Sequence, residues 1–254
     1  MKVYIVAKET GEVYNETVRK LTGFGIKQVN DIVDCDVVIT IGGDGTILSI
    51  GTQAAVFKKP LLGINTGRLG FMATLEKNEP DKLERLIGGD YSVSRRMLLD
   101  VQLSGKTYHA LNDVVLHRGA ETALPEFAIC RNGRGIIRVR GDGIIISTAT
   151  GSTAYSLSAG GPIIEPELEC FLVTALSPHS LFNRPMIFSP DSQLSVYAKN
   201  VAVSVDGQDL TPPAGKIVTD EYIITKSEHY LDLIDIDGNN FYDSIHNKLM
   251  KPLK

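Results

Sequence analysis

Apolar positions follow two rhythms along this chain, and the change between them falls near residue 96. Before it, short runs of consecutive apolar residues alternate with stretches whose apolar positions recur every three to four residues. The pattern predicts strands over Lys2–Ala7, 36–41 and 60–64. It predicts helices over 15–21, over 46–57 with Ile47, Leu48, Ala54 and Ala55 inward, and over 80–87 between Pro80 and Gly88-Gly89. Strands that are apolar throughout and separated by helices imply a parallel sheet covered on both faces.

Beyond residue 97 the runs become short and are punctuated by Gly and polar turns. Strands are expected over 98–103, 107–118, 126–132, 136–139, 144–148, 170–175, 186–188, 193–197, 202–205, 216–225 and 230–235, with a small helix near 152–158. That rhythm favours an antiparallel, all-β, sandwich-like domain. The tail over 240–250 reads as a helix that returns to the first domain. The expected organisation is therefore an α/β N-terminal nucleotide-binding domain of residues 1–96 plus 238–254, and a β-rich domain of residues 97–237.

Composition narrows the function. The 254 residues are 43% hydrophobic and 22% charged, with a net charge of −4. This balance argues against a general electrostatic grip on nucleic acid, which needs a basic surface. Trp is absent and no apolar run approaches the length of a spanning helix, so no membrane role is expected. The start, MKVYIVAKET, lacks signal-peptide architecture. Cys35, Cys130 and Cys170 are far apart in apolar surroundings and offer no zinc spacing. They read as reduced thiols of a cytoplasmic protein, with no metal held by protein ligands.

The first chemical signal is VVITIGGDGTILSI, residues 37–50. A buried strand ends at Gly42-Gly43, one carboxylate follows at Asp44, and Gly45-Thr46 lead into a helix. Ligands of doubly wound sheets bind at the carboxyl ends of strands. Glycines there permit positive φ and close approach of backbone N–H groups to an anion, and the helix adds its positive end. The pattern is neither a Walker loop nor a Rossmann GxGxxG. Asp44 has two readings: a helix N-cap, or an acid that holds a metal, hydrogen-bonds a ribose hydroxyl or takes its proton.

The second signal is ISTATGSTAYSLSAGGPII, residues 146–164. Hydroxyls at Ser147, Thr148, Thr150, Ser152 and Thr153 beside glycines suit ribose, phosphate or amide groups, and Tyr155 offers a stacking face. A capped helix behind a polar turn is the alternative.

Six motifs stand in one order: GGDGT at 42–46, NTGRLGF at 65–71, LND at 111–113, GDG leading into STATGSTAYSLSAGGP at 141–162, SPHSLFNRP at 177–185 and DGQ at 206–208. This ordered set resembles the NAD kinase family. The GGDG turn alone is similar to that of diacylglycerol-type lipid kinases and phosphofructokinases. The later motifs separate those relatives from NAD kinases. A dinucleotide-sensing module without catalysis is the non-enzyme alternative, and an acid retained beside phosphates speaks against it.

The resemblance implies transfer of the γ-phosphoryl of ATP to the 2′-hydroxyl of the adenosine ribose of NAD, with Mg²⁺ or another divalent metal accompanying ATP. It implies Asp44 as the catalytic residue. Gly42, Gly43, Gly45, Thr46 and Arg68 form the ATP phosphate cradle. NAD is expected on Asp44, Gly45, Phe71, Asn112, Asp113, Arg140, Asp142, Thr150, Thr153, Ala154, Tyr155, Ser158 and Gln208. Phe71 packs either on adenine or in the core, and Arg140 either meets phosphate or is solvated, as Arg138 is. His179 and Arg184 are similarly placed, and no catalytic role is given to His179. Where relatives commonly carry Pro, this chain has Ala149. The resemblance also implies a homo-oligomer, dimer or tetramer, with site contacts across an interface, and a site in the cleft between the two domains.

Overall fold

A computed structural model describes residues 1–67, 70–119, 123–179, 184–211, 221–236, 238 and 241–250. The chain divides into two units, Met1–Arg96 with His229–Lys254, and Met97–Glu228.

The first unit opens with β1 (Lys2–Ala7), α1 (Glu12–Gly23), β2 (Lys27–Val29), β3 (Val37–Gly42), α2 (Asp44–Val56), β4 (Leu61–Asn65), β5 (Leu75–Glu76) and α3 (Leu83–Gly88). Strand β1 runs parallel to both β2 and β3, and β3 runs parallel to β4 with Val38 opposite Leu61 and Gly42 opposite Asn65. Every residue of β3 and β4 is buried, which is why both read as nearly continuous apolar runs. Three elements exceed the sequence expectation: α1 starts three residues earlier than predicted, and the short parallel strands β2 and β5 were not expected, the first pairing Lys27 with Lys2 and the second Leu75 with Ile64. The core gathers Val3, Ile39, Ile41, Leu62, Ile64, Leu83 and Ile234. Helix α2 leaves β3 with a single residue, Gly43, between them. Asp44 is thereby placed at the carboxyl edge of the sheet.

The chain passes to the second unit within β6 (Ser92–Leu103), followed by β7 (Lys106–Ala110), β8 (Asp113–Arg118), β9 (Glu126–Arg131), β10 (Arg134–Arg140) and β11 (Gly143–Ser147). A 3-10 turn over Thr150–Thr153 and α4 (Tyr155–Ser158) follow, then β12 (Phe171–Leu176), β13 (Met186–Phe188), β14 (Leu194–Tyr197), β15 (Val201–Val205) and β16 (Gln208–Asp209). One antiparallel sheet has the order β13-β12-β11-β8-β15-β16. In the second unit, β14 also pairs antiparallel with β9, and β9 with β10. The expected strand over 107–118 is two strands, broken at Leu111-Asn112. The physical reason is the Asp206 carboxylate, which takes the N–H groups of Leu111, Asn112 and Asp113.

The return is made by β17 (Glu221–Asp235), one fifteen-residue strand where two were expected. Its early part pairs with β14 (Ile224 opposite Leu194), and Leu233 lies parallel to Leu61 of β4. The expected strand residues 216–220 lie outside the described residues. In the first unit, α5 (Phe241–Ile245) continues as a wider π-type turn over His246–Met250.

Candidate active site

In the first unit, Gly43 is the N-cap of α2 and makes no side-chain cap, and Asp44 is the first helical residue. The N-cap reading of Asp44 is thus corrected. Its carboxylate points away from its own helix: Oδ2 accepts the N–H of Phe71 at 2.7 Å and Oδ1 that of Met72 at 3.1 Å. The turn that donates those N–H groups requires Gly70. A Cβ there would stand 2.0 Å from Asp44 Oδ1.

The glycines of GGDGT work differently from expectation. Gly42, Gly43 and Gly45 do not adopt positive φ. Gly42 is needed because a Cβ would meet Thr46 Oγ1 at 2.0 Å, whereas Cβ atoms at Gly43 and Gly45 would meet nothing within 4 Å among the described residues. Among those residues, the backbone of Gly43 and Gly45 beside the first turn of α2 is uncovered.

A cation completes this constellation. Lys248 Nζ lies 3.8 Å from Asp44 Oδ2 and 4.0 Å from the Phe71 ring centroid. Burial pushes the Lys248 ammonium below its ordinary range, and the Asp44 charge opposes that shift. The Phe71 ring also meets Phe241, with ring centroids 6.3 Å apart. Asn65, buried at the end of β4, donates to Glu76 Oε1 and accepts from Gly67 N–H, so it shapes the start of the same loop. Arg68 lies outside the described residues.

In the second unit the Ser/Thr-rich segment sorts its hydroxyls into framework and reserve. Thr148 donates to Leu111 O at 2.6 Å and accepts Gly151 N–H. Ser152 is tied in both directions to Ile164, Thr153 donates to Thr150 O, and Ser156 meets Thr174. Among the described residues, Ser147 Oγ and Thr150 Oγ1 are buried without a partner. A buried hydroxyl without a partner is costly, and Thr150 stands in the segment expected to meet the dinucleotide. Gly151 packs on Asn112 so closely that a Cβ would come within 2.1 Å of Asn112 O.

Asn112 and Asp113 are held by Asp206. Its Oδ2 accepts Leu111 N–H at 2.7 Å, and its Oδ1 accepts the N–H groups of Asn112 at 2.8 Å and Asp113 at 3.1 Å. Val205 pairs with Gln208, so Asp206-Gly207 is a two-residue hairpin turn, with φ of 49° and 78°. The Asp-Gly turn was legible in the sequence; the second use of its Asp was not. Asp113 is buried opposite Ser147 on β11. Burial first, and the neighbouring Asp206 charge second, raise its pKa from 3.8 to about 7. Burial also raises Asp206, against the lowering effect of its three N–H bonds.

The remaining expected residues are more open. Tyr155, Ser158, Arg140 and Gln208 are exposed or partly so, and Thr153 and Ala154 are half-buried. Asp142 lies 3.4 Å from Arg118 Nη2. His179 donates its backbone N–H to Arg140 O. A cavity of about 560 Å³ in this unit is lined by Leu124, Pro125, Glu126, Arg138, Tyr197 and Lys199 among others. It contains none of the expected dinucleotide residues, so the motif chemistry outweighs its size. Among the described residues, no three His, Cys, Asp or Glu side chains cluster to hold a metal. Among the same residues, no helix is long and apolar enough to cross a membrane.

A family model described as the ATP-NAD kinase N-terminal domain matches residues 6–91, and one described as the ATP-NAD kinase C-terminal domain matches residues 111–236. The NAD kinase of Magnetococcus marinus is 39% identical over 235 residues, covering 88% of this chain and 77% of that protein. The NAD kinase of Azotobacter vinelandii is 36% identical over 270 residues, covering 98% and 88%. Among solved structures, a yeast NADH kinase complexed with NADH matches at a TM-score of 0.84 and 26% identity, over 100% of this chain and 90% of that one. An Archaeoglobus fulgidus NAD kinase in complex with ATP matches at 0.80 and 26%, over 97% and 99%.

Proposed function

This chain belongs to the ATP-NAD kinase family, and we infer that it transfers the γ-phosphoryl group of ATP to the 2′-hydroxyl of the adenosine ribose of NAD, giving NADP. The observation that carries the chemistry is Asp44. Two backbone N–H groups fix its carboxylate, beside open space at the first turn of a helix. Such an acid is oriented before substrate arrives.

In the reaction the 2′-oxygen forms a bond to the γ-phosphorus. The bond from that phosphorus to the β–γ bridging oxygen breaks, and ADP leaves with the electron pair. Asp44 orients the hydroxyl and receives its proton, which passes on to water. Gly42, Gly43, Gly45, Thr46 and Arg68 are assigned to the ATP phosphates, in keeping with the open backbone over Gly43 and Gly45. The divalent metal, magnesium or another, is assigned to ATP and enters as its complex, where it neutralises phosphate charge.

NAD is assigned to Gly45, Phe71, Asn112, Asp113, Thr150, Thr153, Ala154, Tyr155, Ser158 and Gln208. The unpartnered Thr150 hydroxyl supports this reading, because a ribose or phosphate oxygen would satisfy it. Arg140 and Asp142 are assigned to a dinucleotide contact across a subunit interface of a dimer or tetramer. The proposed place of action is the cytoplasm, consistent with Cys35, Cys130 and Cys170 as free thiols.

The test incubates the protein with Mg²⁺, ATP and NAD and detects NADP with an NADP-specific dehydrogenase. NADP is expected; its absence while NAD still binds would overturn the reading. Asp44→Asn should keep NAD binding and lower turnover by about two orders of magnitude or more, the scale of general-base loss. Near-normal turnover in that variant would remove Asp44 from the mechanism.

A further inference from the structure

The C-terminal helical segment carries two residues, seven apart, onto one aromatic ring. Phe241 meets Phe71 at 6.3 Å between centroids, and Lys248 places its ammonium 4.0 Å from the centre of the same ring. Phe71 is also the residue whose N–H reaches Asp44 Oδ2 at 2.7 Å. Lys248 Nζ faces that same oxygen at 3.8 Å. The contact is longer than a charge-assisted hydrogen bond, so the ammonium acts on Asp44 as a nearby point charge.

A cation here answers a problem set by the reaction. The acid that receives the hydroxyl proton must stand beside the phosphates of ATP, and like charges at such distances repel by an amount that grows as water is excluded. Left alone, the carboxylate would turn away from the incoming nucleotide. The Phe71 and Met72 amides oppose that movement with neutral donors only. Lys248 is three-quarters covered, and burial disfavours its charge. Both the Asp44 carboxylate and the face of Phe71 act in the opposite sense.

We propose that Lys248 is a positioning residue for phosphoryl transfer: its ammonium, brought in on the C-terminal segment, keeps the Asp44 carboxylate aimed from the Phe71–Met72 turn and offsets its repulsion by the substrate phosphates. The inference rests on the reading of Asp44 as the group that receives the 2′-hydroxyl proton. It assigns the segment 241–250 a part in the chemistry, although none of the six motifs includes it.

The experiment compares full-length wild type, Lys248→Met and Lys248→Arg by steady-state kinetics and thermal melting. Methionine keeps the apolar stem that covers Phe71 and removes the charge; arginine keeps the charge. Lys248→Met should lower kcat about ten- to a hundredfold, the scale of a misplaced catalytic group. The KM for NAD should stay within about twofold and Tm within a few degrees, and Lys248→Arg should recover most of kcat. A wild-type kcat in Lys248→Met overturns the proposal. So does a kcat above wild type, which would make the segment an obstruction. Equal losses in both variants accompanied by a lowered Tm also overturn it, since a packing role would explain them. Wild-type protein that makes no NADP would instead remove the assignment of function beneath the proposal.

Discussion

Gly70 sets the position of the acid by having no side chain. A Cβ at this position would lie 2.0 Å from Asp44 Oδ1 and 2.8 Å from Cγ, so Gly70→Ala must displace either the carboxylate or the turn that donates to it. Turnover should fall about a hundredfold, because misplacing a reacting group by about 1 Å costs that much. NAD affinity, measured by equilibrium binding, should change little. Unchanged turnover in Gly70→Ala would show that the carboxylate tolerates displacement. Asp44 itself was legible because an acid between glycines at a strand end has few structural uses. Its competing reading as a cap failed because Gly43 takes the cap position and leaves Asp44 one residue inside the helix. The partners of Asp44 were not legible. Gly70 and Phe71 are separated from it by a whole helix and strand, and Lys248 by most of the chain. A local pattern holds no record of such pairings.

At the scale of elements, the parallel strands and α2 were readable because β3 and β4 are buried on both faces and therefore apolar at nearly every position. The break between β7 and β8 was not. Residues 107–118 keep a plausible strand composition throughout, and what interrupts them is a carboxylate from another hairpin. Asp206 collects three successive N–H groups, from Leu111, Asn112 and Asp113, which a continuous ladder would have sent to a neighbouring strand. Asp206→Ala leaves those donors without their acceptor and puts Ala at a φ of 49°. The second unit should lose on the order of 2–4 kcal/mol of stability, given about 1–3 kcal/mol for each buried group left unsatisfied and partial recovery through water. Urea denaturation measures this. The KM for NAD should rise in parallel as Asn112 and Asp113 lose their fixed backbone. A variant with unchanged stability and KM would show that the strand break forms without the clamp.

Across the whole molecule, the two rhythms of the sequence correspond to a parallel unit with helices and a unit of antiparallel strands, each with its own chemistry. Stability as a whole carries the signature of one buried acid. The pKa of Asp113 is raised from 3.8 to about 7 by burial and by Asp206, so the folded chain binds this proton more tightly than the unfolded chain does. A raised folded pKa contributes stability that is fully present below the unfolded value and is lost as pH rises through the folded one. Between about pH 4 and pH 7 the protein should therefore become less stable on this account. The ceiling is about 4 kcal/mol, because each tenfold gain in proton affinity on folding is worth roughly 1.4 kcal/mol. Asp206 is raised as well and adds to the trend. Asp113→Asn keeps the shape and removes the titration, so its stability should depend less on pH over this window and exceed wild type at pH 8. Urea midpoints at pH 5 and pH 8 for both proteins decide the matter. An equal change with pH in the two would place the titrating group elsewhere, whereas a flatter profile for Asp113→Asn would locate the proton on Asp113, one of the residues assigned to NAD.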